Sequence, residues 1–210
     1  MTQTPIAEPL RPGFPVLRIP PALQLHEPVS FTAIRGDEAG ARAEAVRLGI
    51  MDVRLEVFVA EQAVPFAQEI DARDFEPGTI HVLARGADSI PLAAGRLLTE
   101  PGHPGRVHLG RLAVRMVARG TGLGARMVAA LEKAAIEHAG TPVDAHPAAG
   151  LGPGARTVTV ILSAQEQAMG FYRRCGYRVL TGESYLDAGI PHQDMARTLT
   201  RGSAPGAGAR

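Results

Sequence analysis

Leu109-Gly-Arg-Leu-Ala-Val-Arg-Met-Val-Ala-Arg-Gly-Thr-Gly-Leu-Gly-Ala-Arg126 is the stretch on which the reading of this chain turns. A hydrophobic strand, Arg106 to Met116, runs into the turn Arg119-Gly120-Thr121-Gly122-Leu123-Gly124. A helix follows at once, with Leu123, Met127, Val128, Leu131 and Ala135 on one apolar stripe. Glycine lets a backbone turn sharply and come close to a ligand. The first amides of a helix lack an internal partner and sit at the positive end of its dipole, so such a turn suits a phosphate or pyrophosphate. Two familiar phosphate loops do not fit. A nucleoside-triphosphate loop ends in Gly-Lys-Ser/Thr, whereas Ala125 and Arg126 follow Gly124. A dinucleotide turn is GxGxxG with an acid about 20 residues further on. The spacing here is GxGxG, and Asp144, at that distance, stands between Pro142 and Pro147, a poor place for a buried strand end. For the turn taken alone, a plain Gly-rich connection is the remaining reading.

Upstream of this stretch, Val29 to Arg35 alternate as a weak first strand. Leu48, Met51, Leu55 and Phe58 recur at helical spacing, so Glu44 to Gln62 is expected as an amphipathic helix, ended by Pro65. The acidic residues Glu69, Asp71, Asp74 and Glu76 follow. Thr79 to Arg85 and Ile90 to Thr99 read as a hairpin about Gly86-Ala87-Asp88-Ser89. Downstream, three prolines and three glycines mark Thr141 to Gly154 as a long loop. Arg156 to Leu162 is β-branched and reads as a buried strand. Ala164 to Cys175 is expected as a short helix stopped by Gly176, before two last strands, Tyr177 to Leu186 and His192 to Leu199. This order predicts an α+β or α/β layered domain, a mixed sheet with helices on its faces.

Composition bounds the function. The chain has 210 residues, with 22 Lys plus Arg against 21 Asp plus Glu, a net charge of +1. That balance argues against a nucleic-acid binder and gives no reason to expect a membrane-surface protein. All but one of the basic residues are arginine, the exception being Lys133, a bias that reads with the abundant Ala and Gly as codon usage. Cys175 is the single thiol, which excludes an intramolecular disulfide and a thiolate zinc cluster and makes a reducing cytoplasm the natural setting. Pro5, Pro9, Pro12, Pro15, Pro20, Pro21 and Pro28 make residues 1–28 an extended or disordered arm without the basic start and apolar run of a signal peptide. One domain is expected over 29–200, and a Gly/Ala/Ser/Pro tail over 201–210. No stretch approaches the ~20 apolar residues of a membrane span.

Arg119-x-x-Gly122-x-Gly124 after a strand ending Leu112-Ala113-Val114 resembles the pyrophosphate loop of the GNAT superfamily of N-acetyltransferases. Ala164-Gln-Glu-Gln-Ala-Met-Gly-Phe-Tyr-Arg-Arg-Cys-Gly-Tyr177 is similar to that superfamily's second signature. Arg54 to Pro65 and Gly189-Ile-Pro-His-Gln-Asp-Met195 resemble its ElaA-like branch, and the likeness spans Phe31 to Leu199. The resemblance implies a mostly antiparallel central sheet and transfer of an acetyl group from acetyl-CoA to an amine of a small molecule or peptide, by direct attack in a ternary complex and without a metal. A non-catalytic acyl-CoA sensor or scaffold on the same fold is the alternative. A homodimer is compatible with either; nucleic acid and membrane are not expected as partners.

Carried over by residue, the resemblance implies that backbone groups of Leu112, Ala113 and Val114 hold the pantetheine arm. The amides of Arg119, Gly120, Thr121, Gly122, Leu123 and Gly124 would cradle the pyrophosphate, with the Thr121 hydroxyl adding to them. Gln165 stands where the superfamily often has Asn and would bond the cosubstrate. Tyr172 matches the tyrosine near the CoA sulfur, where a phenol protonates the departing thiolate. His108 falls near the place of a glutamate base, and an imidazole pKa near ~6.5 suits that work. Glu69, Asp71, Asp74 and His192 are the other candidates for the base, and an acidic mouth would also attract a cationic amine. Cys175 reads as packing rather than as a nucleophile. The residues choosing the acceptor are expected in Gln62 to Glu76, the last hairpin and the Asp144 to Gly154 loop, which would cover the site or a dimer surface.

Overall fold

The computed structural model describes residues 28–144 and 151–201. The Pro-rich arm up to residue 27, the middle of the long loop at 145–150 and the tail beyond Arg201 lie outside the described residues.

Strand β1 (Ser30–Arg35) leads to helix α1 (Ala41–Arg54), which continues as a π-helical stretch over Leu55–Glu61. A short helix α2 (Phe66–Glu69) and a 3-10 turn at Ala72–Phe75 come next. Strands β2 (Thr79–Arg85), β3 (Pro91–Thr99) and β4 (Arg106–Val114) precede the long helix α3 (Leu123–Ala139). After the two-residue β5 (Thr141–Pro142) come β6 (Arg156–Gln165), α4 (Met169–Arg174), β7 (Arg178–Asp187) and β8 (Ile190–Arg201). The strands form one sheet in the order β1-β2-β3-β4-β6-β8-β7, with β5 beside β6. Every pairing is antiparallel except β4 with β6, so the sheet is mixed and mostly antiparallel, as expected.

Each sheet face buries against one helix. The stripe read on α3 is correct: Leu123, Met127, Val128, Leu131 and Ala135 pack on Val82, Leu97, Val107, Leu109, Val160 and Leu162. On the opposite face α1 sets Val46, Ile50 and Val53, and the π-helical stretch Val57, against Leu83, Ala94 and Ala113. The stripe read on α1 is a correction. Leu48 is 64% exposed, because the buried face runs through Val46 and Ile50 instead. The i, i+3, i+4 spacing was real for both sets, and alanine and valine on the true face carry too little bulk to outrank leucine in sequence. Ala164 and Gln165 are a second correction: they end β6, and the helix proper begins at Met169 after a 3-10 turn at Glu166–Ala168.

Glu69 and Asp74 of the acidic segment are buried and Asp71 is partly buried, whereas Glu76 is exposed. Arg54, 1% exposed at the end of α1, binds the Glu69 carboxylate and the Glu69 carbonyl, and its Nη1 lies 2.9 Å from Asp74. Arg96 of β3, 4% exposed, reaches Asp74 at 2.7 Å and Asp71 at 2.9 Å. His81 of β2 is buried beside them, with Nε2 2.8 Å from the Asp74 carbonyl, and burial pushes its pKa down so that it is neutral. Charges this deep persist only when paired, and removing one partner exposes the desolvation cost of the other. For Asp71 burial favours the protonated form, but hydrogen bonds from Arg73 and Arg96 outweigh it and hold the carboxyl below its ordinary value.

Two measurements follow from this cluster. Asp74→Ala leaves Arg54 and Arg96 each short of a carboxylate and is expected to cost about 3 kcal/mol, read as a lower denaturation midpoint. Asp71 is depressed in the folded state, so its stabilisation is complete above the unfolded value near ~4 and is lost as pH falls below it. Asp71→Asn is therefore expected to flatten the loss of stability below about pH 4; an unchanged acid limb would contradict this.

Candidate active site

The site begins at an irregularity in β4. Arg111 adopts φ +52°, a region non-glycine residues seldom occupy. Ala94 of β3 faces Ala113, but Arg96 faces Gly110, so β4 carries one residue more than β3 over this span. That is a β-bulge, and it bends the strand and increases its twist. On its other side β4 pairs with β6 only from Arg106↔Thr159 to Leu109↔Leu162. Beyond Leu109 the two part: β4 stays on β3, while β6 continues along β8 to Gln165↔His192. A wedge opens between Gly110–Val114 and Ser163–Gln165, and the facing backbone groups have no strand partner across it.

The glycine turn closes one end of the wedge. Gly120 and Gly122 sit at φ +77° and +82°, and a Cβ on either would meet nothing within 4 Å. Open space thus lies directly against the backbone, at the N-terminus of the 17-residue α3. Not all the expected amides are free. The Arg119 N–H donates to the Met116 carbonyl at 3.1 Å, and the Leu123 N–H reaches Thr121 Oγ1 at 3.4 Å. The Thr121 hydroxyl itself donates to the Ala118 carbonyl at 2.7 Å, so it braces the turn. The amides of Gly120, Thr121, Gly122 and Gly124 make no turn or cap bond among the described residues. Arg119 ties the turn down, with Nε on the Val114 carbonyl at 2.8 Å and Nη2 on Glu61 at 2.6 Å.

The wedge and turn belong to one cleft of about 910 Å³. His108, Leu112, Val114, Arg119, Gly120, Gly122, Gly124, Gln165 and Tyr172 all stand on its wall. The side chains of Ala113 and Leu123 are instead buried in the core on the two sheet faces. Tyr172 is partly buried, its ring edge-on to Phe171 at 5.0 Å and to Tyr177 at 5.9 Å. Burial, helped by the nearby Cys175, pushes its phenol up to about 12. Gln165 donates to Gln62 at 3.3 Å and accepts from Gln167 at 3.0 Å, linking the end of β6 to the end of the π-helical stretch.

Of the candidate bases, Asp71 and Asp74 are off the cleft wall and are held by Arg54, Arg73 and Arg96. Glu69 reaches the wall, but Arg54 takes one oxygen and Arg111 lies 3.0 Å from the other. The acidic segment therefore does not form an acidic mouth; its charge is neutralised from within. His108 bonds through Nε2 to Glu100, and the hydrogen bond from His108, more than that from Arg106, holds Glu100 below the ordinary carboxylate range. His192 is on the wall with Nδ1 2.8 Å from the Ile190 carbonyl. Cys175 packs beside the α3 core, and burial pushes its thiol up, in keeping with a packing role. The described flanks of the long loop, Val143 and Ala155, are bonded to each other at the start of β6. The cleft lies at the other end of that ten-residue strand, roughly 30 Å away, so these flanks do not cover it.

The sequence did not show two contributors. Phe58, in the π-helical stretch, packs against the α1 core and also lines the cleft. Arg111 both makes the bulge and clamps Glu69; a glycine inside a strand pattern, Gly110, was the available signal. Asp187, Ala188 and Ile190 bring the tip of the last hairpin onto the wall, the hairpin from which the sequence expected acceptor-choosing residues.

Comparison with known proteins agrees with this geometry. Residues 54–179 match the family described as "Acetyltransferase (GNAT) domain". The chain is 39% identical over 145 residues to the uncharacterized N-acetyltransferase YjcF of Bacillus subtilis, covering 69% of this chain and 87% of that protein. Among solved structures, an acyl-CoA N-acyltransferase from Pseudomonas aeruginosa matches with TM-score 0.62 at 31% identity, over 81% of this chain and 99% of that one. Escherichia coli ElaA matches with TM-score 0.62 at 25% identity, over 80% of this chain and 99% of its own.

The three tyrosines of the chain offer a check on the cleft wall. Tyr172, Tyr177 and Tyr185 are all raised, chiefly by burial. An ultraviolet titration of the folded protein is expected to lag well behind a free phenol, which is half ionised near pH ~10. The midpoint for Tyr172, isolated by difference against Tyr172→Phe, is expected about two units higher. A midpoint near ~10 would mean that its hydroxyl is fully solvated.

Proposed function

Because the chain belongs to the GNAT family of acetyltransferases, we propose that it moves an acetyl group from acetyl-CoA to the amine of a small molecule or peptide, by direct attack in a ternary complex. The observation that supports this most is the wedge between β4 and β6 ending on the two open glycines of the α3 turn. A long, flexible cosubstrate with amides along its arm and a pyrophosphate at its end fits these features. The unpaired edges of Leu112 and Val114 would take the pantetheine arm, and the free amides of Gly120, Thr121, Gly122 and Gly124 the pyrophosphate. The bound thioester supplies the activated acyl group.

The chain's own groups then act on the transfer. The bend of β4 brings backbone donors toward the place where charge develops on the carbonyl oxygen, which lowers the barrier without reorganisation. Holding amine and thioester together supplies much of the rate. Tyr172, with its phenol near 12, is protonated at any working pH. A thiol has a pKa near ~8.5, so full proton transfer from such a phenol is uphill; Tyr172 serves mainly as a hydrogen-bond donor to the sulfur as the C–S bond breaks. The amine proton goes to a histidine on the wall, His108 or His192. The lone thiol of the chain suits a cytoplasmic setting.

The direct test is release of free CoA thiol on incubation with acetyl-CoA and a panel of primary amines. Binding of acetyl-CoA without turnover of any amine would favour a sensor. Gly122→Val fills the open space and is strained at φ +82°, so it is expected to lower the melting temperature by several degrees and to weaken CoA binding of the folded protein at least ~10-fold by calorimetry. Unchanged affinity would refute the pyrophosphate placement. Tyr172→Phe is expected to lower kcat by up to ~10²-fold with acetyl-CoA affinity intact. Undiminished turnover where chemistry limits the rate would remove Tyr172 from the mechanism.

A further inference from the structure

We propose that His192 is the catalytic base, the group that takes the proton from the attacking amine; the proposal rests on the acetyl-transfer reading. The argument is one of lone pairs. A carboxylate and a carbonyl oxygen only accept hydrogen bonds, so a ring nitrogen bonded to one must carry a proton. His108 presents Nε2, its outward nitrogen, to Glu100, so that nitrogen is a donor. Glu100 also binds Arg106 and lies 3.1 Å from His103, which makes His108 part of an ion cluster at the β3–β4 turn. His192 is bonded the other way round. Its Nδ1 lies 2.8 Å from the Ile190 carbonyl, so Nδ1 carries the proton and Nε2 of the neutral ring holds the lone pair. Nε2 has no protein partner among the described residues, and the ring stands on the cleft wall.

The ring is also held in place. His192 is 8% exposed and stacks on Tyr185 with centroids 6.2 Å apart and planes 21° apart. The Tyr185 hydroxyl lies 2.6 Å from Asp194 Oδ1 and from Ser163 Oγ, so its ring is fixed in turn. In register, His192 faces Gln165, the last residue of β6, where the wedge from β4 is already open. An imidazole on the cleft wall, with Nδ1 committed to a carbonyl, its plane stacked on a fixed ring and Nε2 without a protein partner, is preorganised to accept a proton. As the amine nitrogen bonds to the carbonyl carbon, its N–H bond breaks, the electron pair stays on nitrogen and the proton passes to Nε2. The C–S bond breaks with its pair on sulfur, which regains a proton with help from Tyr172. The imidazolium then returns its proton to solvent, so the sum is amine plus thioester giving amide plus thiol.

His192→Asn is the informative variant, because its amide N–H replaces Nδ1–H toward Ile190 while nothing replaces Nε2. It is expected to lower kcat ~10²–10³-fold with unchanged acetyl-CoA affinity and melting temperature, while His108→Gln costs less than about tenfold. In His192→Ala, added imidazole is expected to restore part of the lost rate, which a purely structural role would not allow. Independently of activity, long-range ¹H–¹⁵N spectra of the full chain are expected to show His192 as the Nδ1–H tautomer. The proposal is overturned if His192→Asn keeps kcat within about threefold, if His108→Gln suffers the larger loss, or if the spectra show Nε2–H. If His192→Asn does not fold, His192→Gln with the same imidazole comparison decides. Should the native protein release no CoA with any amine, the acetyl-transfer reading itself fails, an outcome distinct from every one above.

Discussion

One extra residue in β4, at Gly110–Arg111, changes the direction of a strand that would otherwise stay zipped to β6. The two strands pair over four residues and then part, and most of the cleft wall follows from that parting. Had β4 kept its register, the backbone groups of Leu112 to Val114 would have been spent on a ladder and no ligand could use them. The bulge also swings Arg111 toward α2, where it meets Glu69. A local backbone irregularity thus does two things at once: it frees one strand edge, and it ties that strand to the segment opposite the glycine turn.

The buried ions beneath that segment make sense in this light. The stretch from Gln62 to Gly78 contains only a four-residue helix and a four-residue 3-10 turn, too little to bury an apolar face of its own. It is anchored instead by Arg54 from α1 and Arg96 from β3, which reach Glu69, Asp71 and Asp74. Such pairs cost desolvation and contribute less net stability than packed hydrocarbon would. What they add is direction: each guanidinium has fixed donor vectors, so the segment is held at one height over the sheet. Glu69, on the cleft wall, is held there by two arginines.

Along the cleft the polar groups fall into two sets. At the α3 end the donors are backbone amides and the space is open, an arrangement for an anion. Elsewhere on the wall stand His108, paired with Glu100, Gln165, bonded to Gln62, Tyr172, and His192, bonded to the Ile190 carbonyl. Burial keeps Tyr172 protonated, and the Ile190 carbonyl fixes the tautomer of His192. Both effects are set by packing, and neither can be read from the residue type.

How much was legible in the sequence follows a physical line. The glycine turn before α3, the apolar stripe of that helix and the order of the elements are local patterns, enforced by backbone sterics and by periodic burial, and they stand in the sequence as they stand in the fold. The family signatures on Arg119 to Gly124 and Ala164 to Tyr177 are local in the same sense. The true face of α1 and the pairing of Arg54 and Arg96 with a distant acidic run were not legible, and the bulge at Arg111 showed only as Gly110 inside a strand pattern. Each depends on residues tens of positions apart meeting across the sheet. An acidic run looks the same in sequence whether water or arginine solvates it, and a histidine looks the same whichever nitrogen keeps its lone pair. Local chemistry determined the glycine turn at the start of a helix; only the tertiary structure decided which charges are spent inside the protein and which groups are left to face the cleft.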